Sequence, residues 1–226
     1  MIQESGKTIK SISPVTMSEL TLYLKMMFLF WLPFEILSQE ISYGSSVQIK
    51  NVYTKNRLGV TTNTDAKSYT KPTIYSSRPP YDEGWLWTIE PDEENSNLTR
   101  TTVPCDSIVA LSSTSNEAYL STRKTKKGLI VEATSSNQGI ESQWVIKCPT
   151  NYNIWEQNMQ FQLFNLKNKC YLTTSFEKKI QANKYFVTCE NVTSNSIWKV
   201  AEGIFLDSDQ STDEGVSEGT SKSDEL

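Results

Sequence analysis

The four cysteines are the residues of this sequence whose type and number best suit a defined chemistry. They are Cys105, Cys148, Cys170 and Cys189. An even number of cysteines is typical of two disulfides in a secreted chain, although four cysteines allow three pairings. A zinc site is the alternative, but the sequence has no Cys-x-x-Cys pair and no histidine to support one.

Groups for other chemistry are scarce. The absence of histidine from all 226 residues excludes Ser-His-Asp and Cys-His catalysis, His-Glu-x-x-His metal sites and imidazole bases. The nine glycines are scattered and form no phosphate-binding loop. Asp92, Glu93 and Glu94 suit a glycosidase-like carboxylate pair, but they stand in a polar linker where solvation is the ordinary explanation. The sequence therefore predicts no catalytic activity, no metal and no cofactor.

A pattern that occurs three times organises the chain. An apolar step ends at Ile49, Leu111 and Leu163, and a leucine follows nine residues later each time. Each unit then closes on a tryptophan, namely Trp87, Trp144 and Trp198, at spacings of 57 and 54 residues. Repetition at a nearly constant period indicates three copies of one structural unit.

Each copy has the pattern of short antiparallel strands. Apolar residues two apart, such as Val47 and Ile49, have the period of a strand with one buried face, and turn-forming residues separate them. Three units of about fifty residues are too few for a propeller. We therefore predict an all-β fold, a β-trefoil over residues 43–205, with repeats at about 43–91, 104–149 and 155–205 and the tryptophans in the core.

These boundaries bear on the cysteines and on the loops. Cys105 and Cys148 open and close the second repeat, and Cys170 and Cys189 lie inside the third, which favours Cys105–Cys148 and Cys170–Cys189. The first repeat has an insert from Thr61 to Gly84, rich in Thr, Ser, Lys and Pro, which predicts a mobile surface loop.

Basic side chains are the candidates for binding a partner. The insert carries Lys67, Lys71 and Arg78, and the second repeat carries the cluster Arg123, Lys124, Lys126 and Lys127. Solvated side chains on the loop and the hairpin are the ordinary explanation of both groups. The alternative is contact with an acidic partner or anion. Net charge is −4, which gives no reason to expect a nucleic-acid partner.

Both ends of the chain resemble targeting signals. Lys25 precedes the apolar run Met26 to Phe34, which predicts a signal peptide over residues 1–38, or from Met17 if that residue is the initiator. An uncleaved anchor is the alternative. Residues 206–226 carry seven acidic side chains and one basic, which predicts disorder. The chain ends in Ser223, Asp224, Glu225 and Leu226, one residue from the Lys-Asp-Glu-Leu retrieval signal. We therefore expect a protein of the endoplasmic reticulum lumen, without a membrane span after signal cleavage, and a monomer on its own.

Two Asn-x-Thr triplets, at Asn97 and Asn191, are glycosylation sequons if the chain enters that compartment.

Several of these segments together resemble a known family. They are the triple unit, Trp155 six residues before Phe161, the segment Trp144-Val-Ile-Lys-Cys148, and the ending Trp198-Lys-Val-Ala-Glu-Gly-Ile-Phe205. The chain is similar over about residues 43–205 to the stromal cell-derived factor 2 group. Those lumenal proteins are built of MIR repeats, the unit shared with protein O-mannosyltransferases and with inositol-trisphosphate and ryanodine receptors.

The resemblance implies a β-trefoil with a disulfide matching Cys105–Cys148. It also implies a non-catalytic role in protein quality control beside a J-domain co-chaperone and its heat-shock chaperone. The chain departs from the family where Leu-His-Ser-His usually follows the hairpin, because Leu58-Gly-Val-Thr and Leu120-Ser-Thr-Arg stand here. A protein-binding adaptor or co-chaperone is our first hypothesis, and a carbohydrate-binding module for mannosylated glycoproteins is the second.

Overall fold

The structure is a computed structural model. It describes residues 38–61, 72–78, 83–92, 95, 97–126, 128–135, 139–181 and 183–207. The predicted signal segment 1–37 and all but the first two residues of the acidic tail, with Ser223 to Leu226, lie outside these ranges.

The described chain forms twelve antiparallel strands. They are β1 (Ser46–Asn51), β2 (Arg57–Val60), β3 (Ile74–Ser77), β4 (Leu86–Pro91), β5 (Ile108–Ser113), β6 (Tyr119–Thr125), β7 (Gly128–Thr134), β8 (Trp144–Lys147), β9 (Gln160–Asn165), β10 (Cys170–Gln181), β11 (Lys184–Glu190) and β12 (Trp198–Ile204). Three single 3₁₀ turns lie wholly within the described ranges, at Glu83–Trp85, Ile140–Ser142 and Ser194–Ser196.

Six of these strands close into a barrel. The pairing runs β1–β4, β4–β5, β5–β8, β8–β9, β9–β12 and back from β12 to β1. The other six form the hairpins β2–β3, β6–β7 and β10–β11, one for each repeat. A six-stranded barrel with three hairpins is a β-trefoil, so the predicted fold class is confirmed.

The repeated leucines and tryptophans lie in the core, and one contact recurs in each copy. Leu58, Leu120 and Leu172 are fully buried, as are Trp87, Trp144 and Trp198. Each indole Nε1 donates to the carbonyl of the leucine in its own repeat, at 3.1, 2.9 and 2.8 Å. The indole therefore satisfies a buried carbonyl that the hairpin leaves unpaired, which explains why both residue types recur together.

The prediction of a surface loop from Thr61 to Gly84 is wrong in part. Residues 74–77 of this insert form β3, which pairs with β2 and with β11 and is buried along its whole length. The strand is required because each trefoil unit needs a fourth strand to complete its hairpin. Its sequence, Ile-Tyr-Ser-Ser, carries only two apolar residues, and the flanking turn-forming residues obscured them.

Both disulfides join the cysteines that the repeat boundaries favour. Cys105–Cys148 spans the second repeat from its start to its end, with 5.6 Å between the Cα atoms. Cys170–Cys189 links β10 to β11 with a Cα separation of 5.3 Å, and both of its cysteines are buried.

An asparagine joins the third repeat to the second. The buried Asn165 donates from Nδ2 to the carbonyls of Glu141, at 2.8 Å, and Gln143, at 3.4 Å. Its Oδ1 accepts from the N–H of Asn168 at 3.0 Å and from the hydroxyl of Thr122 at 3.0 Å. This one side chain thus fixes the turn after β9 and the 3₁₀ turn of the neighbouring repeat.

The same contact recurs in the first repeat and is absent from the second. Asn51 Nδ2 donates to the carbonyls of Asn195, at 2.7 Å, and Ile197, at 3.1 Å. The corresponding residue of the second repeat is Ser113, whose hydroxyl lies 2.9 Å from that of Ser115 and bridges to no other repeat within the described chain.

Replacement of Asn165 by alanine is therefore expected to lower the free energy of unfolding by about 2–3 kcal/mol, because it leaves buried carbonyls without donors. Ser113→Ala, at the corresponding position, should cost less than about 1 kcal/mol. Urea unfolding of both variants measures the difference. Equal losses would mean that the asparagine does not hold the repeats together.

Candidate functional site

The three hairpins meet around an open groove of about 450 Å³. We call it the cap groove; it is lined by Pro72, Thr73, Ile74, Arg123, Leu129, Ile130, Val131, Glu132, Phe186, Val187 and Thr188. Its volume is within the range of about 300–1,000 Å³ that is typical of ligand sites.

The groove exists because the three hairpins do not pair with one another all the way round. β3 and β11 pair through Tyr75 with Phe186, Ser76 with Tyr185 and Ser77 with Lys184. The pairing of these two strands ends at Tyr75 and Phe186, and β7, which pairs with β6, forms the third side of the groove. The trefoil's threefold pattern is therefore interrupted at the groove.

Apolar side chains make up most of the groove surface. The two most exposed of them are Ile130 and Phe186, whose side chains are 37% and 42% exposed. Leu129 and Val131 are half-buried, and Ile74 and Val187 are buried. The groove thus leaves apolar surface in contact with water.

The charged residues on the groove are an ion pair. Arg123 Nε donates to both carboxylate oxygens of Glu132, at 2.7 and 2.8 Å, and this hydrogen bond raises the pKa of Arg123 above its ordinary value. Lys124 and Lys126 are exposed on the same hairpin and have no ion-pair partner in the described ranges. Arg123 is neutralised by Glu132, so the net positive charge of the described part of the basic cluster comes from Lys124 and Lys126.

The remaining predicted basic residues are only partly placed. Arg78 is exposed directly after β3, next to Ser77, which pairs with Lys184 of β11. Lys67, Lys71 and Lys127 lie outside the described residues.

The sequon asparagines, Asn97 and Asn191, are both exposed. Of the three linker carboxylates, Asp92 accepts a hydrogen bond from Asn95 Nδ2 at 2.6 Å. Glu93 and Glu94 lie outside the described residues.

The third repeat has a smaller polar pocket of about 230 Å³. It is lined by Thr173, Thr174, Ser175, Thr188, Glu190, Thr193 and Asn195. Hydroxyls, one carboxylate and one amide are groups that can bind a polyhydroxylated ligand.

Packing explains the glycine at position 59, where the family that the sequence resembles usually has the first histidine of Leu-His-Ser-His. A Cβ added at Gly59 would lie 2.8 Å from Trp85 Cδ1 and 2.8 Å from Tyr75 Cζ. Trp85 is fixed by its indole N–H, which donates to Ser77 Oγ at 3.0 Å, and the Arg57 guanidinium lies 5.0 Å from its ring centroid. Aromatic side chains thus fill the space next to Gly59.

Two further features are absent from the described ranges. No group of three or more His, Cys, Asp or Glu side chains there could hold a metal ion. No helix of those residues is long and apolar enough to span a bilayer.

Comparison with known proteins identifies the fold. No protein-family model and no curated protein matches the sequence. Among solved structures, the SDF2-like protein from Arabidopsis thaliana aligns with a TM-score of 0.65 at 18% identity, over 76% of this chain and 99% of the other. A Caenorhabditis elegans protein of unknown function aligns with a TM-score of 0.61, also at 18% identity, over 76% and 99%.

A third match is to part of a larger assembly. It is the S. cerevisiae protein O-mannosyltransferase Pmt1-Pmt2 complex bound to the sugar donor, with a TM-score of 0.59 and 14% identity, over 81% of this chain and 31% of the other. The chain is thus a β-trefoil protein whose fold is that of the SDF2-like protein, which confirms the resemblance at the level of the fold.

Sequence reasoning missed the apolar part of the cap groove. The run Leu129-Ile130-Val131 directly follows the basic cluster, and its lack of alternation was the available signal, since a hairpin strand with one exposed face should alternate. Phe186 belongs to another repeat, and no sequence pattern connected it to Ile130.

Proposed function

We propose that the folded body is a non-catalytic binding module of the endoplasmic reticulum lumen, an adaptor or co-chaperone that binds a partner protein through the cap groove. The cap groove itself is the observation that supports this proposal. Exposed apolar side chains on a disulfide-linked scaffold are typical of protein-interaction sites.

The composition of the groove favours a protein over a sugar. Its surface is mainly Ile, Leu, Val and Phe, with Arg123 and Glu132 already paired to each other. A protein segment can cover such a surface with apolar side chains and gain about 25 cal/mol for each Å² removed from water. A sugar would bring hydroxyls to a surface with few free polar partners.

The proposed compartment rests on independent features. The apolar run Met26 to Phe34, the terminal Ser223 to Leu226 and the two disulfides are each typical of the lumenal environment. The fold shared with the SDF2-like protein supports the same assignment. The family resemblance suggests a J-domain co-chaperone and its heat-shock chaperone as partners.

Capture of a purified lumenal J-domain co-chaperone by the full chain tests the proposal. Reversal of Lys124 and Lys126 to glutamate should weaken capture about tenfold and reduce its salt dependence, because both exposed charges lie near the groove and neither has an ion-pair partner among the described residues. Arg123 is left unchanged, since its reversal would break the pair with Glu132.

The matched control is reversal of Lys55 and Lys169, which changes the net charge equally, lies outside the three hairpins and breaks no ion pair of the described residues. Equal losses in both double variants would assign the effect to net charge. A wild-type chain that captures no J-domain protein would overturn the adaptor proposal.

A carbohydrate-binding module is the second candidate function, and the polar pocket around Glu190 and Asn195 favours it. Titration calorimetry with a high-mannose oligosaccharide would detect such binding, and Glu190→Gln should weaken it. Oligosaccharide binding by a chain that captures no J-domain co-chaperone would replace the adaptor proposal with a lectin-like function.

A further inference from the structure

On one of its two edges, β7 makes no strand pairing with any residue that the structure describes. Within the described ranges β7 pairs with β6 and with no other strand, and its residues 129–133 take part in no other backbone hydrogen bond. An open strand edge can accept a further strand through its unpaired N–H and C=O groups.

The cap groove runs along this edge. Four consecutive residues of β7, Leu129 to Glu132, line it. Successive side chains of a strand point to opposite faces, so four in a row can border one groove only where that groove follows the strand's edge. A second hollow, about 410 Å³, continues along β7 from Glu132 to Ser135 and shares Pro72 with the cap groove.

The hydrogen-bond pattern shows which residues of β7 direct their backbone groups into the groove. Leu120 pairs with Ala133, and the Leu120 carbonyl accepts from the Trp144 indole, as a carbonyl turned away from the partner strand can. That pair is therefore one of the non-hydrogen-bonded pairs of the ladder. By alternation, Leu129, Val131 and Ala133 direct their N–H and C=O groups away from β6.

The charge along the groove is uneven. The exposed Lys124 and Lys126 lie at the hairpin tip, where β7 begins. Glu132, the only acidic side chain among the described residues that line the groove, is paired with Arg123 further along the strand. A segment lying along β7 would therefore meet unpaired positive charge at the Gly128 end.

We propose that the partner segment is an extended, apolar stretch of polypeptide that adds a strand to the edge of β7, with acidic residues beside Lys124 and Lys126. This inference rests on the proposed function and names the chemistry of its ligand. The segment runs antiparallel to β7, since that pairing is the more stable, and so its acidic residues are at its C-terminal end. Backbone hydrogen bonds provide affinity, and the groove selects apolar side chains.

A synthetic peptide tests this inference on the full chain. The probe is an acetylated, fluorescein-labelled Val-Thr-Val-Thr-Val-Asp-Asp peptide, and anisotropy measures its binding. Methylation of the amide nitrogens on the peptide edge that faces β7 should weaken binding by about tenfold or more, because each lost hydrogen bond contributes about 1 kcal/mol. Methylation of the nitrogens on the opposite edge is the matched control.

Two protein variants test the same contacts from the other side. Val131→Pro removes one donor of the free edge, at a position where proline is tolerated, and should weaken binding about fivefold. Lys124→Glu with Lys126→Glu should reverse the preference, so that a peptide ending in Lys-Lys binds more tightly than one ending in Asp-Asp.

Equal binding of the two methylated peptides would overturn strand addition even if Val131→Pro fails to fold. Absence of peptide binding, in a chain that still captures the J-domain co-chaperone, would overturn the extended segment and leave the adaptor function standing. Peptide binding with these properties in a chain that captures no J-domain protein would support the segment and contradict the adaptor.

Discussion

Replacement of both Cys105 and Cys148 by alanine is expected to lower the free energy of unfolding by about 4 kcal/mol. The disulfide closes a loop across 43 residues, and in the chain-entropy model a loop of that length restricts the unfolded chain by about this amount. The loop contains the strands β5 to β8, which make up the whole second repeat. Loss of the disulfide therefore also allows that repeat to unfold separately. Urea unfolding of the oxidised chain and of the variant measures the loss.

The Cys170–Cys189 pair provides a comparison within the same protein. Its loop spans 19 residues, which corresponds to about 3 kcal/mol in the same model. The pair is buried, however, and alanines there leave a small cavity that adds to the loss. A loss below about 1 kcal/mol for either pair would show that the bond does not constrain the unfolded chain.

Trp144→Phe is expected to cost about 3 kcal/mol. The substitution leaves a cavity in the core, and it removes the N–H that satisfies the buried Leu120 carbonyl at 2.9 Å. Trp87→Phe and Trp198→Phe should cost similar amounts, because each indole makes the same contact in its own repeat. Equilibrium unfolding in urea measures all three variants.

Trp155 is the matched control for this series. It is equally buried and packs edge-to-face on Phe161 with 4.7 Å between ring centroids. Its indole N–H has no hydrogen-bond partner among the described residues, so Trp155→Phe should cost about 1–2 kcal/mol less than the other three. Four equal losses would mean that the indole–carbonyl bond does not stabilise the repeats.

The fold was predictable because its determinants recur. The nine-residue step to each leucine and the later tryptophan reflect one hydrogen-bonded contact made three times, and a contact that recurs in the structure leaves a period in the sequence. The disulfides followed from the same period, since each pair lies within one repeat.

The candidate site was not predictable because it is where the repetition fails. β3 and β11 pair with each other while β7 pairs only with β6 among the described strands, and no sequence period predicts that difference. Sequence reasoning found the basic residues beside the groove because charges cluster visibly. It could not pair Arg123 with Glu132, nor place Phe186 beside Ile130, since both contacts depend on how the strands are arranged.

The failure to predict strand β3 from the sequence has a different cause. Ser76 and Ser77 are polar residues in a buried strand, where hydrogen bonds replace apolar burial: Ser76 bonds to the Thr174 hydroxyl, and Ser77 accepts from the Trp85 indole. Alternation of apolar residues is the main sequence signal for a strand. The signal is lost where a buried strand carries hydroxyl side chains that form hydrogen bonds.

Site-specific photo-crosslinking tests the central claim, that the cap groove binds a protein, most directly. A photoreactive phenylalanine analogue is placed at Ile130 or at Phe186 in the full chain, and at Tyr53 or Val192 as controls, which are 64% and 59% exposed but lie outside the groove. Crosslinks to a lumenal J-domain co-chaperone are expected from Ile130 and Phe186 and not from the two controls. Crosslinks from Tyr53 or Val192 alone, or none from any of the four positions, would contradict the claim.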